Sequence, residues 1–450
     1  MKDMKKKKFL LVAALLFMGH SMTTMARQWT LQECMDYAME NNIQLKQKQI
    51  ATKSSKEDVL QSQGALFPSL SFSTSQNMNY RPYSEQTINL SGGTMSSSSN
   101  AVSYNGSYGL NANWTVWNGG RNQTNVKQSK LTEQQNEFAE QEEANSIQER
   151  IAQLYVQILY EAEAIKVSEE VLKASRMQLD RARQMVEVGT LAKVDMVQLE
   201  SQVAQDELTL VSAKSQQENY KLQLKQLLEI HDDAEFEIIV PTISDDKVLA
   251  LLPLKDDVYA AALENRPEIK ARKLNIESSN LSLKSAKAGY LPTISLNAGI
   301  GTSNASAQKT DFGTQIKKNL SGSVGVQVSV PIIDAHQNRT NVRKAKYAQE
   351  TALLQLQDAE KKLYSSIENY YLDASTSQQK FRYARKNAES MAESYELVSE
   401  QFRLGLKNIV ELTTGKNNLL QAEQQLLETK YTALLNQALL RFYKGEGVEF

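Results

Sequence analysis

The chain repeats itself, and that restricts its fold more than any single motif. The stretch beginning LQECMDYAMENN at Leu31 returns as LKDDVYAAALEN at Leu254, with Ala38 on Ala262 and Asn41 on Asn265, 224 positions apart. Further on, GLNANWTVWNGGRNQTNVKQSK matches GVQVSVPIIDAHQNRTNVRKAK, with Gly109 on Gly325 and Thr124-Asn125-Val126 on Thr340-Asn341-Val342. MVEVGTLAKVDMVQLESQ then aligns with QFRLGLKNIVELTTGKNN and sets Gly189 on Gly405, 216 positions apart like the pairs before it. The change of offset falls in the strand-to-strand connections, where the serine-rich SGGTMSSSSN at 91–100 is longer than its counterpart. Each copy reads as helix, strand, strand, very long helix, break, helix. The expected organisation is a first repeat at 27–230, a linker at 231–253, a second repeat at 254–445 and a tail at 446–450.

Between Asn122 and Val188 there is neither Pro nor Gly, and the same holds from Gln337 to Leu404. Runs of 67 and 68 residues at about 1.5 Å each make rods of roughly 100 Å. Apolar residues recur three and four apart, as in Ile147, Ile151, Leu154 and Ile158, which predicts antiparallel coiled-coil hairpins. Gly189 and Gly405 fall where the rods must reverse, and glycine is the usual stop there. A soluble bundle or a filament-forming coiled coil would account for the helices and leave the strands without a purpose.

The strands alternate. Tyr104, Tyr108, Leu110, Ala112, Trp114 and Val116 take one parity, and Asn105, Ser107, Asn111, Asn113 and Thr115 the other. Val324, Val326, Val328 and Val330 oppose Ser323, Gln327 and Ser329; Ile294, Leu296, Ala298 and Ile300 form a third apolar set, while Leu70 and Phe72 begin a fourth that decays. Taken alone, this fits a soluble sandwich with one wet face. Four strands of about 10 residues are too few for a core beside such helices, whereas about 9–11 tilted residues span an outer membrane. Tyr80, Tyr83, Trp114 and Trp117 would suit aromatic girdles. Four strands cannot close a barrel, so a membrane barrel would have to be shared between copies.

Lys5 to Lys8, the apolar run FLLVAALLFMG and the small-residue close at Thr24-Met25-Ala26 read as a cleaved signal peptide at 1–26. Lys plus Arg number 51 against 52 for Asp plus Glu, a balance that gives nucleic acid no electrostatic handle. One Cys and three His leave no thiolate cluster, and His231 and His336 read as surface positions. No Ser-His-Asp set, phosphate-binding glycine loop or metal-ligand spacing is present, so neither an enzyme nor a cofactor is expected.

The ordered duplication, with WNGG at the strand-to-helix turn, Phe67-Pro68 and Leu291-Pro292 before strands, and an acidic residue six positions beyond each tip glycine, resembles the TolC family of outer-membrane efflux proteins over about residues 28–445. The resemblance implies a mostly α fold with a small β part. In it, long helical hairpins and four membrane strands per subunit build a trimeric twelve-stranded β-barrel continuous with a periplasmic α-helical tunnel. It also implies a passive outer-membrane exit duct of a tripartite efflux or type I secretion system. Its partners would be a periplasmic adaptor, an inner-membrane pump of RND, ABC or MFS type and outer-membrane lipid. A periplasmic coiled-coil adaptor or structural protein is the alternative. The family's gate acids fall on Glu411 and, in the first copy, Asp195; its bracing basic and aromatic residues fall on Lys407 and Phe402. The adaptor-docking tips fall on Gly189, Thr190, Leu191, Gly405 and Leu406. The second acid of the family's ring falls on Thr414, a departure that removes half the acidic ring. Lys407 beside Asp195 is expected to form an exposed ion pair of about 0.2–1 kcal/mol.

Overall fold

A computed structural model describes residues 27–82, 85–90, 93–98, 102–231, 236–241, 243–308 and 310–450. The signal-peptide reading and Tyr83 lie outside the described residues. In chain order the elements are β1 (Arg27–Trp29), α1 (Leu31–Asn41), α2 (Ile43–Gly64), β2 (Ser69–Tyr80), β3 (Glu85–Leu90), β4 (Gly93–Ser98), β5 (Val102–Trp117), α3 (Arg121–Glu187) and α4 (Lys193–Leu227). There follow β6 (Phe236–Ile238), α5 (Asp245–Val248), α6 (Lys255–Asn265), α7 (Pro267–Lys287), β7 (Thr293–Ala305), α8 (Phe312–Lys318), β8 (Ser321–Ser329), α9 (Gln337–Arg403) and α10 (Ile409–Lys444). The chain forms two compact units. Of the described residues, one takes those up to Gln47, Gln141–Arg266 and Glu360–Phe450; the other takes those in Lys48–Glu140 and Pro267–Ala359.

The second of these units carries the antiparallel sheet β2-β5-β7-β8. Each repeat contributes one hairpin, and β5 pairs with β7 to join them. Every residue of the edge strands β2 and β8 is exposed. The alternation read from the sequence holds through most of the ladder: Leu110 faces Phe72 and Ile300, and Leu296 faces Trp114 and Val326. On the other parity Ser75 Oγ and Ser107 Oγ lie 2.9 Å apart, and Asn111 Nδ2 donates to Ser73 Oγ at 3.2 Å.

The expected parity fails at the end of β5. Thr115 pairs with Ser295 and Trp117 with Ile294, so Val116 is an unpaired bulge residue and Trp117 takes the apolar side in its stead. Two other differences lie in the connections. The serine-rich segment supplies one strand of the β3–β4 hairpin, where a plain loop was expected. The second connection contains α8, which lies where β8 stops short of β7. Its Gln315 Oε1 accepts from Ala305 N at 2.8 Å and Asn319 Nδ2 donates to Ser303 O at 2.7 Å, replacing ladder bonds that β8 does not supply.

The duplication reappears atom for atom at the strand-to-helix turns. Asn122 N donates to Asn118 Oδ1 and Asn122 Nδ2 to Ala65 O; Asn338 N donates to Asp334 Oδ2 and Asn338 Nδ2 to Gly289 O. Gly119 and Gly120, at φ +72° and +78°, turn the chain from β5 into α3.

In the other unit α1 starts with a capping box, Thr30 and Glu33 each accepting from the other's backbone N–H. Trp29 packs edge-on to Tyr37 at 5.2 Å and against Phe236 at 5.7 Å. β1 pairs in parallel with β6, so the expected linker is partly strand and, at α5, partly helix. The Arg266 guanidinium lies 3.8 Å from the Tyr443 ring centroid. Tyr155 donates to Ile239 O at 2.8 Å, and burial pushes its hydroxyl up to about 12.

A Cβ on Gly119 would sit 3.0–3.1 Å from Ala288 and Leu291, whereas one on Gly120 would meet nothing nearer than 3.9 Å. Gly119→Ala should therefore lose at least about 2 kcal/mol and Gly120→Ala only about 1 kcal/mol, read from denaturant midpoints of the two variants.

Candidate functional site

The residues singled out from the sequence gather at the two helix reversals, in the unit that holds residues 141–266. Both reversals are Schellman turns. Thr190 N donates to Met185 O at 2.8 Å and Gly189 N to Val186 O at 3.1 Å; Leu406 N donates to Gln401 O at 2.9 Å and Gly405 N to Phe402 O at 3.0 Å. Gly189 and Gly405 take φ of +76° and +74°, the left-handed region that favours glycine. Val188, Val194, Leu404, Leu406 and Val410 are exposed around them.

Beyond each turn, Asp195 and Glu411 occupy the third position of α4 and α10, where a helix N-terminus favours negative charge. The two starts are not equivalent. Asn408 and Glu411 form a capping box, while the equivalent Ala192 offers no side-chain cap. Lys407, the residue before the Asn408 cap of α10, pairs with Glu411 in the first turn of that helix, which corrects the expected pairing with Asp195. The capping box fixes the Glu411 carboxylate within reach of a lysine four residues back, and no comparable bond brings Asp195 to Lys407. Lys407 and the Asn408 amide hold the Glu411 carboxyl below its ordinary value. Phe402 is half-buried against Leu172, Leu179, Leu199, Ile409 and Leu412, a cluster that joins α3, α4, α9 and α10. Thr414 spends its hydroxyl on Val410 O at 2.7 Å.

Within reach of that cluster lies a polar layer that the sequence reading missed. Lys416 Nζ donates to Asp206 Oδ2 at 2.6 Å and to Ser175 Oγ at 3.0 Å; Ser175 Oγ donates to the same carboxylate oxygen at 2.5 Å, and Gln202 Nε2 to the other at 2.9 Å. The Lys416 and Asp206 side chains are each 4% exposed. Nearby, Gln178 Nε2 donates to the Tyr395 hydroxyl at 2.8 Å. Burial pulls the Lys416 ammonium below its ordinary value, and Asp206 draws it back up. The signal in the sequence is polar residues on apolar stripes: Lys416 follows Ile409 and Leu412, and Asp206 follows Leu199 and Val203, at helical spacing. The layer has no twin, because 216 positions away from Ser175, Asp206 and Lys416 stand Met391, Ala422 and Glu200.

Removing one member of a buried pair strands the other's charge at about 3–5 kcal/mol. Lys416→Met should lose that much in chemical unfolding, and Lys416→Met with Asp206→Leu should recover most of it.

A family model described as "Outer membrane efflux protein" matches residues 35–228 and 258–446. Outer membrane protein TolC of Escherichia coli (strain K12) is 23% identical over 300 residues, which span 65% of this chain and 60% of TolC. Outer membrane efflux protein BepC of Brucella suis is 23% identical over 441 residues, 96% of this chain and 90% of BepC. Among solved structures, CusC, described in terms of folding and transmembrane channel formation, superposes with a TM-score of 0.78 at 17% identity, covering 96% of each chain.

Proposed function

The chain belongs to the outer membrane efflux protein family, and from that premise we propose that it is the outer-membrane exit duct of an efflux or type I secretion assembly. The observation that carries the reading is the four-stranded sheet, apolar on one parity and open at both edges, continuous in sequence with two 67-residue helices. Three copies joined edge to edge give twelve strands and remove every unpaired edge, the condition a membrane strand has to meet. On β5 the exposed Tyr104 and Trp114 are ten residues apart. At about 3.3 Å per residue and about 40° of tilt that separation is roughly 25 Å, the height of an outer-membrane apolar band. No helix among the described residues is long and apolar enough to cross a membrane.

In this reading the helices lie in the periplasm, and the tips, with exposed Val188, Val194, Leu404 and Leu406, dock a periplasmic adaptor through Gly189, Thr190, Leu191, Gly405 and Leu406. Asp195, Phe402, Lys407 and Glu411 form the constriction that precedes docking. An inner-membrane pump supplies the driving force. The duct performs no chemistry, and a lining rich in Ser and Asn leaves substrate choice to the pump. The repeat boundaries at 230 and 254 mark duplicated halves, and both halves contribute hairpins to tip and sheet alike.

Purified protein is expected to run as a heat-stable trimer and to conduct weakly in a planar bilayer. Lys407→Ala, which removes the exposed pair with Glu411, should raise conductance by no more than about fivefold, since such a pair is worth at most about 1 kcal/mol. A detergent-free soluble monomer without conductance would overturn the duct. Wild-type conductance should stay flat as pH falls from 8 to 5, because the lowered Glu411 carboxyl keeps its charge until pH drops below its ordinary value of 4.5.

A further inference from the structure

The short helix α8 sits at the end of the sheet farthest from the long helices in sequence order, between β7 and β8. It lies over the apolar parity. Thr302 Oγ1, on that face, donates to Ile316 O at 2.7 Å, and the Phe312 ring stands edge-on to Tyr108 at 6.4 Å. Gln315, 5% exposed, anchors it: its Oε1 takes Ala305 N and its Nε2 donates to Thr310 O at 2.7 Å. Asp311 caps its start by accepting from Thr314 N at 2.9 Å. α8 is thus fixed to the sheet through its whole length, and its last turn presents Lys317 and Lys318 to solvent. No acidic side chain among the described residues pairs with either lysine. At the same end of the sheet Tyr80 and Tyr104 are exposed, as are Phe312 on α8 and Leu320 just after it.

We propose that Lys317 and Lys318 of α8 bind the phosphorylated headgroups of outer-leaflet lipid. The inference rests on the outer-membrane reading, in which the strand ends away from the long helices face the outside and the apolar parity faces lipid. Aromatic rings then mark the outer boundary of the apolar band. Two adjacent ammonium groups on an anchored helix at that boundary meet phosphate through charge-assisted hydrogen bonds, the stronger kind. The two exposed apolar side chains, Phe312 and Leu320, lie beside acyl chains, and the helix needs no induced folding before contact.

The test uses detergent-purified full-length protein and its Lys317→Gln/Lys318→Gln variant. Lys344→Gln/Lys346→Gln on α9 serves as a control of equal charge change. Retention of bis-phosphorylated lipid A is titrated by native mass spectrometry, with monophosphoryl lipid A and inorganic phosphate as further probes. The expected result is a roughly thirtyfold weaker lipid A affinity in the α8 variant, no change in the control, intermediate retention of the monophosphoryl form and no competition by inorganic phosphate. Equal retention by wild type and the α8 variant overturns the proposal, and so does displacement by inorganic phosphate, which would mark a free-anion site. All three proteins are also reconstituted into vesicles. Failure of the wild type to insert overturns the outer-membrane reading itself, whereas insertion with unchanged lipid A retention overturns only the assignment to α8.

Discussion

Unsatisfied backbone groups along β2 and β8 govern everything else in this protein. A four-stranded sheet with one apolar parity is stable in water only if that parity is covered, and stable in lipid only if its edges are paired. Here the apolar parity is exposed along both edge strands, with Val324 83% exposed, and the edges themselves are unpaired. Both demands are met together when copies join edge to edge in a membrane, and neither is met by the chain alone. Where β8 ends early, the protein closes the gap with Gln315 of α8 and Asn319 at its C-cap, which shows the same demand answered locally.

The helical part obeys a different rule. A coiled-coil hairpin needs a reversal that satisfies its last carbonyls, and both tips solve this with a left-handed glycine. Around those turns the two copies have diverged. The second tip is tied down by Asn408, Glu411 and Lys407, and the first ends on an uncapped Ala192. Farther along, apolar packing among all four helices gives way to the Ser175–Asp206–Lys416 layer, whose polar atoms satisfy one another out of water.

Much of this was legible in the residues. The duplication located every long element, since a constant offset constrains two helices and two strands at once, and the glycines fixed the reversals. Parity located the apolar face until Val116, where a bulge, set by the meeting of β5 with β7, shifts the register in a way no single strand announces. α8 and the β3–β4 hairpin escaped because connections carry short-range signals that tertiary context decides. At the tips, residue identity picked out Lys407 and Glu411, but the partner of Lys407 depends on a capping box whose reach only coordinates reveal. Lys416 stood in plain sight on an apolar stripe; what hid it was the expectation that a lysine belongs in water.

The unpaired polar layer also bears on how the two halves can be exchanged. Glu200 occupies in the first copy the place that Lys416 holds in the second, and from α4 it meets Arg183 of α3 at the surface, 3.2 Å away. A chain assembled from two first halves would bring a glutamate against Asp206 in a site closed to solvent, and one assembled from two second halves would leave Lys416 facing Ala422. Each half has therefore become the other's required complement. A chain rebuilt from either half in duplicate would carry a buried charge without its partner at this layer, at about 3–5 kcal/mol.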